Sequence, residues 1–360
     1  MTEQHRIEVR KDDLATTRQI ASTLPALEDG QILCTVDRFG LSANNVTYGV
    51  VGERIGYWQF FPAEDGWGVI PTWGFADVTE SRHPDIAVGE RLYGYWPMGT
   101  HLIMAPGSIS DRRLVDAIEH RAKLPPVYNS YARCSNEAYY ESELDDARML
   151  LYPLYATSYC LYDYLVDNDY FGADQVIIPS ASSKTAIGLA YALAGDSGGR
   201  EIVGVTSAGN VERTRALGLY TQVVTYDGLD AIATDPAVIV DMSGNGRVLS
   251  ALHRHLGDAM RFTSQVGLTH YDDNDMDEGF IRERSEIFFA PGHIQKRAAE
   301  WGPGAFDKKA FAFWRDAAVR SSQWLGYTHR RGIDALETSW QEALAGKLSP
   351  EVGLIIEPAD

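Results

Sequence analysis

Asp174 to Gly195 reads DQVIIPSASSKTAIGLAYALAG: an apolar run, a turn of small hydroxyl residues ending in Lys184, and an Ala-rich run. These residue types suit one chemistry. A strand that delivers the chain to a helix N-terminus presents backbone N–H groups to a phosphate, and serine hydroxyls and a lysine ammonium add further donors. Two phosphate-binding patterns compete for the stretch. In G-x-x-x-x-G-K-[ST], Lys184 and Thr185 fit while Ile178 and Ser183 fill both glycine positions. In G-x-G-x-x-G, serine and alanine stand where the glycines belong. VIVDMSG, with Asp241, passes for the second strand of a P-loop ATPase, so that reading stays open beside a dinucleotide fold and a dinucleotide-shaped domain without ligand.

A second concentration of chemistry lies in NNVTYGVVGERIGYWQFFPAEDGWGVIPTW, where Tyr48, Tyr57, Trp58, Phe60, Phe61, Trp67 and Trp73 crowd one segment. An aromatic-lined cleft favours an apolar or conjugated small molecule; packing of a strand-rich domain is the competing account. Metal chemistry has no support. Cys34, Cys134 and Cys160 are scattered, and His253 and His255, two residues apart on a helix, point to different faces.

The elements that must position these residues divide the chain. From about Gln31 to Pro106, short apolar runs are broken by Gly, Pro and Asp, the pattern of a barrel-like, strand-rich domain. Leu114 to Ala147 reads as a transition region. After it come alternating helices and strands: LLYPLYATSYCLYDYLVD, QVIIP, KTAIGLAYALAG, EIVGVTS, NVERTRALG, QVVTYD, AVIVDMSG, RVLSALHRHLG and MRFTSQVG. Nearly all-apolar strands between helices are buried on both faces of a parallel sheet, so the second domain is expected to be α/β and doubly wound. The last run, VGLIIE, has no place in that order and is expected to return to the first domain. His270 is the sole histidine at the carboxyl end of a proposed sheet strand, where open α/β sheets bind ligands.

Composition sets outer limits. The 360 residues suffice for two cores, and a net charge of −18 argues against a nucleic acid or an anionic membrane surface as partner. No apolar leader opens the chain and no uncharged run reaches membrane-spanning length, so a cytoplasmic protein is expected.

Taken in order, the motifs resemble the medium-chain dehydrogenase/reductase superfamily, and within it the zinc-free quinone- and enoyl-reductase branch. VGERLYGYWPMGTHLIMAP looks like that family's Gly-Asp-Arg-Val turn and following strand. PLYATSYCLYDYL is similar to its Gly-Leu-Thr-Ala-Tyr helix, and RTRALGLYTQVVTYD to its Leu-Gly-Ala segment before the third Rossmann strand. The resemblance implies a GroES-like catalytic domain at 1–146 and 296–360, a Rossmann-type cofactor domain at 147–295, and a homodimer.

It also implies roles. The family's Gly-Ala-Ser-Gly-Gly-Val-Gly falls on Ser180 to Ala186, so Ser180, Ser182, Ser183, Lys184 and Thr185 are expected to hold the pyrophosphate of NADP, with Thr157 beside the nicotinamide. At the end of the second strand Thr206 and Ser207 replace the acid that binds the ribose of NAD, and Arg213 follows; this favours NADP, although the usual lysine falls on Asn210. Tyr226, Ser243 and Gly244 are expected around the adenine, Gly267 and Thr269 near the nicotinamide ribose, and Phe289, with Phe288, over the ring. Tyr57, Tyr48 or His270 is the expected catalytic donor. Ser42 stands where zinc-dependent members carry their first cysteine ligand and Asn45 replaces the usual Asp, so no metal is expected. The function implied is hydride transfer to a carbonyl or an activated double bond; a non-catalytic NADPH-binding scaffold is the alternative.

Overall fold

The computed structural model describes residues 2–137, 140–196, 198–267 and 276–359. The chain forms two compact units, Met1–Leu150 with Trp324–Asp360, and Leu151–Gln323.

The first unit is built on a nine-stranded sheet. Its main path runs Gly326–Arg331, Val352–Glu357, Ile32–Leu41, Pro71–Ser81, Arg91–Pro97, Ser130–Arg133, Arg113–Asp116 and Pro106–Ile109, with His101–Met104 also pairing Ile32–Leu41. Thr17–Thr23, Glu3–Arg10 and Trp67–Gly68 form a smaller sheet. The C-terminal strand joins antiparallel to the strand Ile32–Leu41. Two strands come from the Leu114–Ala147 region, which the sequence had suggested was only a transition. Its strand pattern is masked by a buried charge: Arg121 is fully buried and ion-paired to Asp116, and Tyr131 donates from its hydroxyl to the Tyr95 carbonyl at 2.7 Å. Tyr131 also explains Gly94, where an added Cβ would lie 2.2 Å from its ring.

The second unit holds six parallel strands. Across the sheet they run Gln222–Thr225, Glu201–Thr206, Gln175–Pro179, Ala237–Asp241, Met260–Gln265 and Ser285–Ile287, which in chain order is 3-2-1-4-5-6, the Rossmann order. Alternation along QVIIP sends Val176 and Ile178 into one core with Leu161, Leu189 and Leu193. Ile177 enters the opposite core with Val205, Leu249 and Leu252. The central strands Gln175–Pro179 and Ala237–Asp241 are thus covered on both faces, which is why they read as continuously apolar. The helices Ala290–Trp301 and Ala305–Ser321 also belong here, Phe306 and Ala310 packing on Cys160. The return to the first unit therefore falls at Trp324 instead of the expected 296. Among the described residues no helix is long and apolar enough to cross a membrane.

Candidate functional site

The first site grows from the turn between Gln175–Pro179 and the helix Lys184–Gly195. Ser180 carries a φ of 60°, the left-handed backbone that a glycine would take without strain. Its place is secured by neighbours: the Ser183 amide donates to the Ser180 carbonyl at 2.9 Å, and the Tyr226 hydroxyl hydrogen-bonds at Ser180. Ala181 is fixed through both backbone groups, its amide donating to Val205 at 3.0 Å and its carbonyl accepting from the Tyr220 hydroxyl at 2.7 Å. Ser183 caps the helix, its side chain accepting from the Ala186 amide at 3.3 Å, and no acid stands in the first turn. The Thr185 carbonyl accepts from Ser158 at 2.7 Å, tying the helix start to Asp145–Asp167. These bonds fix the turn at the capped helix N-terminus.

The second strand brings its end to the same place. Ser182 accepts from Thr206 at 3.1 Å and from Asn210 at 3.2 Å, and Asn210 also reaches Ser207 at 3.0 Å. Arg213 donates to the Asn210 side-chain oxygen at 3.0 Å. Lys184 is half-buried, and burial together with the nearby Arg213 guanidinium pushes its ammonium down to about 8. One lysine, within electrostatic reach of an arginine, and several hydroxyl and amide groups thus gather near one helix N-terminus.

Farther along the strand ends, Asp241 is buried and turned onto its own loop. One oxygen accepts from the Ser243 amide at 2.9 Å and its hydroxyl at 2.6 Å, the other from the Gly244 amide at 3.2 Å. That engagement does not suit the metal-directed acid of a P-loop enzyme. Gly244 has φ 64°, and at Gly267 an added Cβ would lie 2.3 Å from the Met242 carbonyl oxygen, so these two glycines and Ser243 share one corner. Thr157 turns its hydroxyl back to Pro153 at 3.1 Å. Phe289 is 60% exposed at the start of Ala290–Trp301, whereas Phe288 packs on the core. Thr269 and His270 lie outside the described residues.

The second cluster is in the first unit. Tyr48 and Tyr57 lie with ring centroids 4.7 Å apart, among Tyr95, Tyr128, Trp73 and Phe60. Burial pushes both phenols well above the ordinary tyrosine range. Their hydroxyls differ in company. Tyr57 pairs with the Tyr128 hydroxyl at 2.8 Å, while Tyr48 accepts from Asn44 at 2.8 Å and from the Trp73 indole at 3.0 Å. Sequence reasoning passed over Asn44, although its i, i+4 spacing to Tyr48 is the signal that finds it; Tyr128 and Tyr220 carry no such local signal.

Ser42 and Asn45 have a local task. They form the capping box of the helix Ala43–Val50, and Asn45 donates to the Pro71 carbonyl at 3.0 Å. Among the described residues no group of three or more His, Cys, Asp or Glu side chains is arranged to hold a metal.

Residues 39–349 match a family model described as Protein of unknown function (DUF2855). Comparison with curated proteins finds no match. Among solved structures, CurA in complex with NADPH from Vibrio vulnificus is similar at 12% identity, with 99% of each chain covered and a TM-score of 0.64. The quinone oxidoreductase from Coxiella burnetii is similar at 13% identity, with 99% of each chain covered and a TM-score of 0.56. The Etr1p/NADP/crotonyl-CoA complex is similar at 10% identity, over 99% of this chain and 100% of that one, with a TM-score of 0.58. At such identities the likeness is one of fold. The shared fold is a Rossmann-type parallel sheet plus a strand-rich domain.

Proposed function

We propose that this chain, which belongs to the family described as Protein of unknown function (DUF2855), is a zinc-independent, NADP(H)-dependent reductase. It acts on a carbonyl or an activated carbon–carbon double bond in a small, apolar or conjugated molecule. The observation that carries the reading is the approach of Lys184 and Arg213 at the first helix N-terminus of a Rossmann sheet, with Thr206 and Ser207 where an NAD protein places its acid. The similar structures include one with NADPH and one with NADP, which supports the same cofactor.

The residues suit that cofactor. Ser182, Ser183, Lys184 and Thr185 would hold its pyrophosphate, and Arg213, Asn210 and Ser207 its 2′-phosphate. A bound nicotinamide supplies the hydride. The chain's own contributions are orientation, charge at the phosphates, and a phenol, Tyr48 or Tyr57, kept protonated by burial. Tyr226, Ser243, Gly244 and Gly267 complete the nucleotide side of the proposal, in a cytoplasmic homodimer.

Fluorescence titration with NADPH and NADH tests the reading, followed by NADPH consumption with enones, quinones and aldehydes. Tighter binding of NADPH and turnover with one of these classes is expected; no binding of either cofactor at millimolar concentration overturns it. A scaffold that binds NADPH without turnover is the second reading. It draws on the serine and alanine residues that stand where a dinucleotide fingerprint has glycines, and binding without consumption of NADPH would select it.

A further inference from the structure

We propose that His329 is a pH-operated clamp: as an imidazolium it ties the first turn of the helix Asp145–Asp167 to the last strand, Val352–Glu357, and on losing its proton it loosens the edge strand Gly326–Arg331 that carries it. The residues that make the clamp lie in the first unit, and none belongs to the tyrosine cluster or to the serine–lysine turn.

The protonation state follows from hydrogen-bond capacity. His329 places Nε2 2.9 Å from Asp146 Oδ2 and Nδ1 3.1 Å from Glu357 Oε1. A carboxylate oxygen only accepts, so each ring nitrogen must donate, and the imidazolium is the form with a proton on both. Both acids are held as anions. The other Glu357 oxygen accepts from Arg331 at 2.6 and 3.0 Å, and Arg331 foremost keeps this carboxyl below its ordinary range. Asp146 stands in the first turn of its helix, where the macrodipole favours a negative charge, with Arg38 4.0 Å from its second oxygen. Burial works against charge on His329, but the bonds to Asp146 and Glu357 outweigh it and raise the ring above the ordinary histidine range.

The remaining charges around the ring have partners of their own. On the strand Ile32–Leu41, Asp37 accepts from Arg38 at 2.8 Å and from Arg91 at 2.7 Å. Asp145 accepts from Tyr140 at 3.0 Å and lies 3.5 Å from Arg91. Tyr327, on the strand of His329, is kept protonated by burial and by Asp146. From the helix Ile333–Leu344, Glu342 pairs with Arg330 at 2.8 Å. His329 is therefore the member of this set whose charge changes between the acidic range of the carboxyls and the basic range of phenol and guanidinium.

The strand it sits on is poised to respond. Gly326–Arg331 ends the nine-stranded sheet, paired to Val352–Glu357, and Gly326, Thr328, His329 and Arg331 are exposed. Such a strand opens locally at low cost. With the ring neutral, one nitrogen turns a lone pair toward a carboxylate, and one of the two ties is lost. A histidine raised in the folded state contributes stability that is complete at low pH and lost as pH rises through its folded midpoint.

NMR of the whole protein labelled at histidine Cε1 tests the charge, the His329 signal being assigned by its absence in His329→Gln. Its midpoint is expected above that of free histidine and should fall in Asp146→Asn. Amide hydrogen exchange of residues 326–331, corrected for the intrinsic effect of pH, tests the clamp. Protection should drop about two- to fivefold as pH rises through the midpoint, the size of one exposed ion pair, and should be low and flat in His329→Gln. A midpoint at or below that of free histidine, or one unmoved in Asp146→Asn, overturns the imidazolium. A raised midpoint with strand protection that does not follow it leaves a surface ion pair and overturns the clamp.

Discussion

Burial acts on the tyrosine cluster of the first unit and on the serine–lysine turn of the second, with opposite consequences for titration. Among the rings it pushes the Tyr48 and Tyr57 phenols upward, so both stay protonated through the physiological range. At the turn it pushes the Lys184 ammonium down to about 8, Arg213 adding to the effect. The cause is common: loss of hydration disfavours whichever form is charged. The difference lies in the charge each group carries when ionised. Neutral donors need no counterion, whereas in the proposed cofactor site an anion near Lys184 and Arg213 would favour the charged ammonium.

The largest effect expected from breaking this contrast is at Tyr48. Tyr48→Phe should cut turnover by about 10²–10⁴-fold while NADPH affinity stays nearly constant, the range for loss of a general acid; steady-state kinetics with a parallel fluorescence titration reads both. Undiminished turnover would move the donor role elsewhere.

Lys184→Ala should weaken NADPH and NADH alike by about 1.5–3 kcal/mol, as for a charge-assisted hydrogen bond, whereas Arg213→Ala should weaken NADPH selectively. Equal losses of both cofactors in Arg213→Ala would remove that residue from the 2′-phosphate. Affinity should also depend on pH. Lys184 is lowered from 10.5 to about 8, so between those values the folded protein binds fewer protons than the unfolded chain, and the contribution of this group to stability rises with pH. A phosphate favours the ammonium and reverses the sign for binding. NADPH affinity should therefore fall as pH rises through about 8, and titrations at two pH values should show a flatter profile in Lys184→Arg.

A smaller effect is expected at Ser180. Ser180→Ala keeps the left-handed backbone and loses the bond to Tyr226, a cost of about 1 kcal/mol, while Ser180→Gly relieves strain of similar size and should leave the melting temperature almost unchanged. Equal melting temperatures for the two variants would break this account of the turn. The smallest effect expected is none at all: with Ser42 and Asn45 engaged in capping, a chelator should not alter reductase activity, and elemental analysis should find no stoichiometric zinc.

Much of the second unit was legible in local pattern. Its five longest strands read as short apolar runs between helical segments because each is buried on both faces, and the turn at Ser180 to Lys184 stood out because hydroxyl residues and one lysine end such a run. The edge strand Ser285–Ile287 did not, since its exposed Glu286 and Ile287 leave it without an apolar signature. Nor did the fate of Ala290–Trp301 and Ala305–Ser321: their aromatic faces announce a core without saying which one, and the contacts of Phe306 and Ala310 with Cys160 decide it.

The chain by itself determined the residue types available for chemistry, the alternation of helices and strands, and the absence of an acid after the second strand, because these depend on neighbours within one or two turns of chain. Tertiary structure decided which of them meet. Lys184 comes under the electrostatic influence of Arg213 because the first and second strands are adjacent in register, from Gln175 opposite Glu201 to Pro179 opposite Val205. Tyr48 meets Trp73 because Asn45 ties its helix to the start of another strand. Such encounters are set by strand register and helix packing across long separations in sequence, which no short-range periodicity encodes.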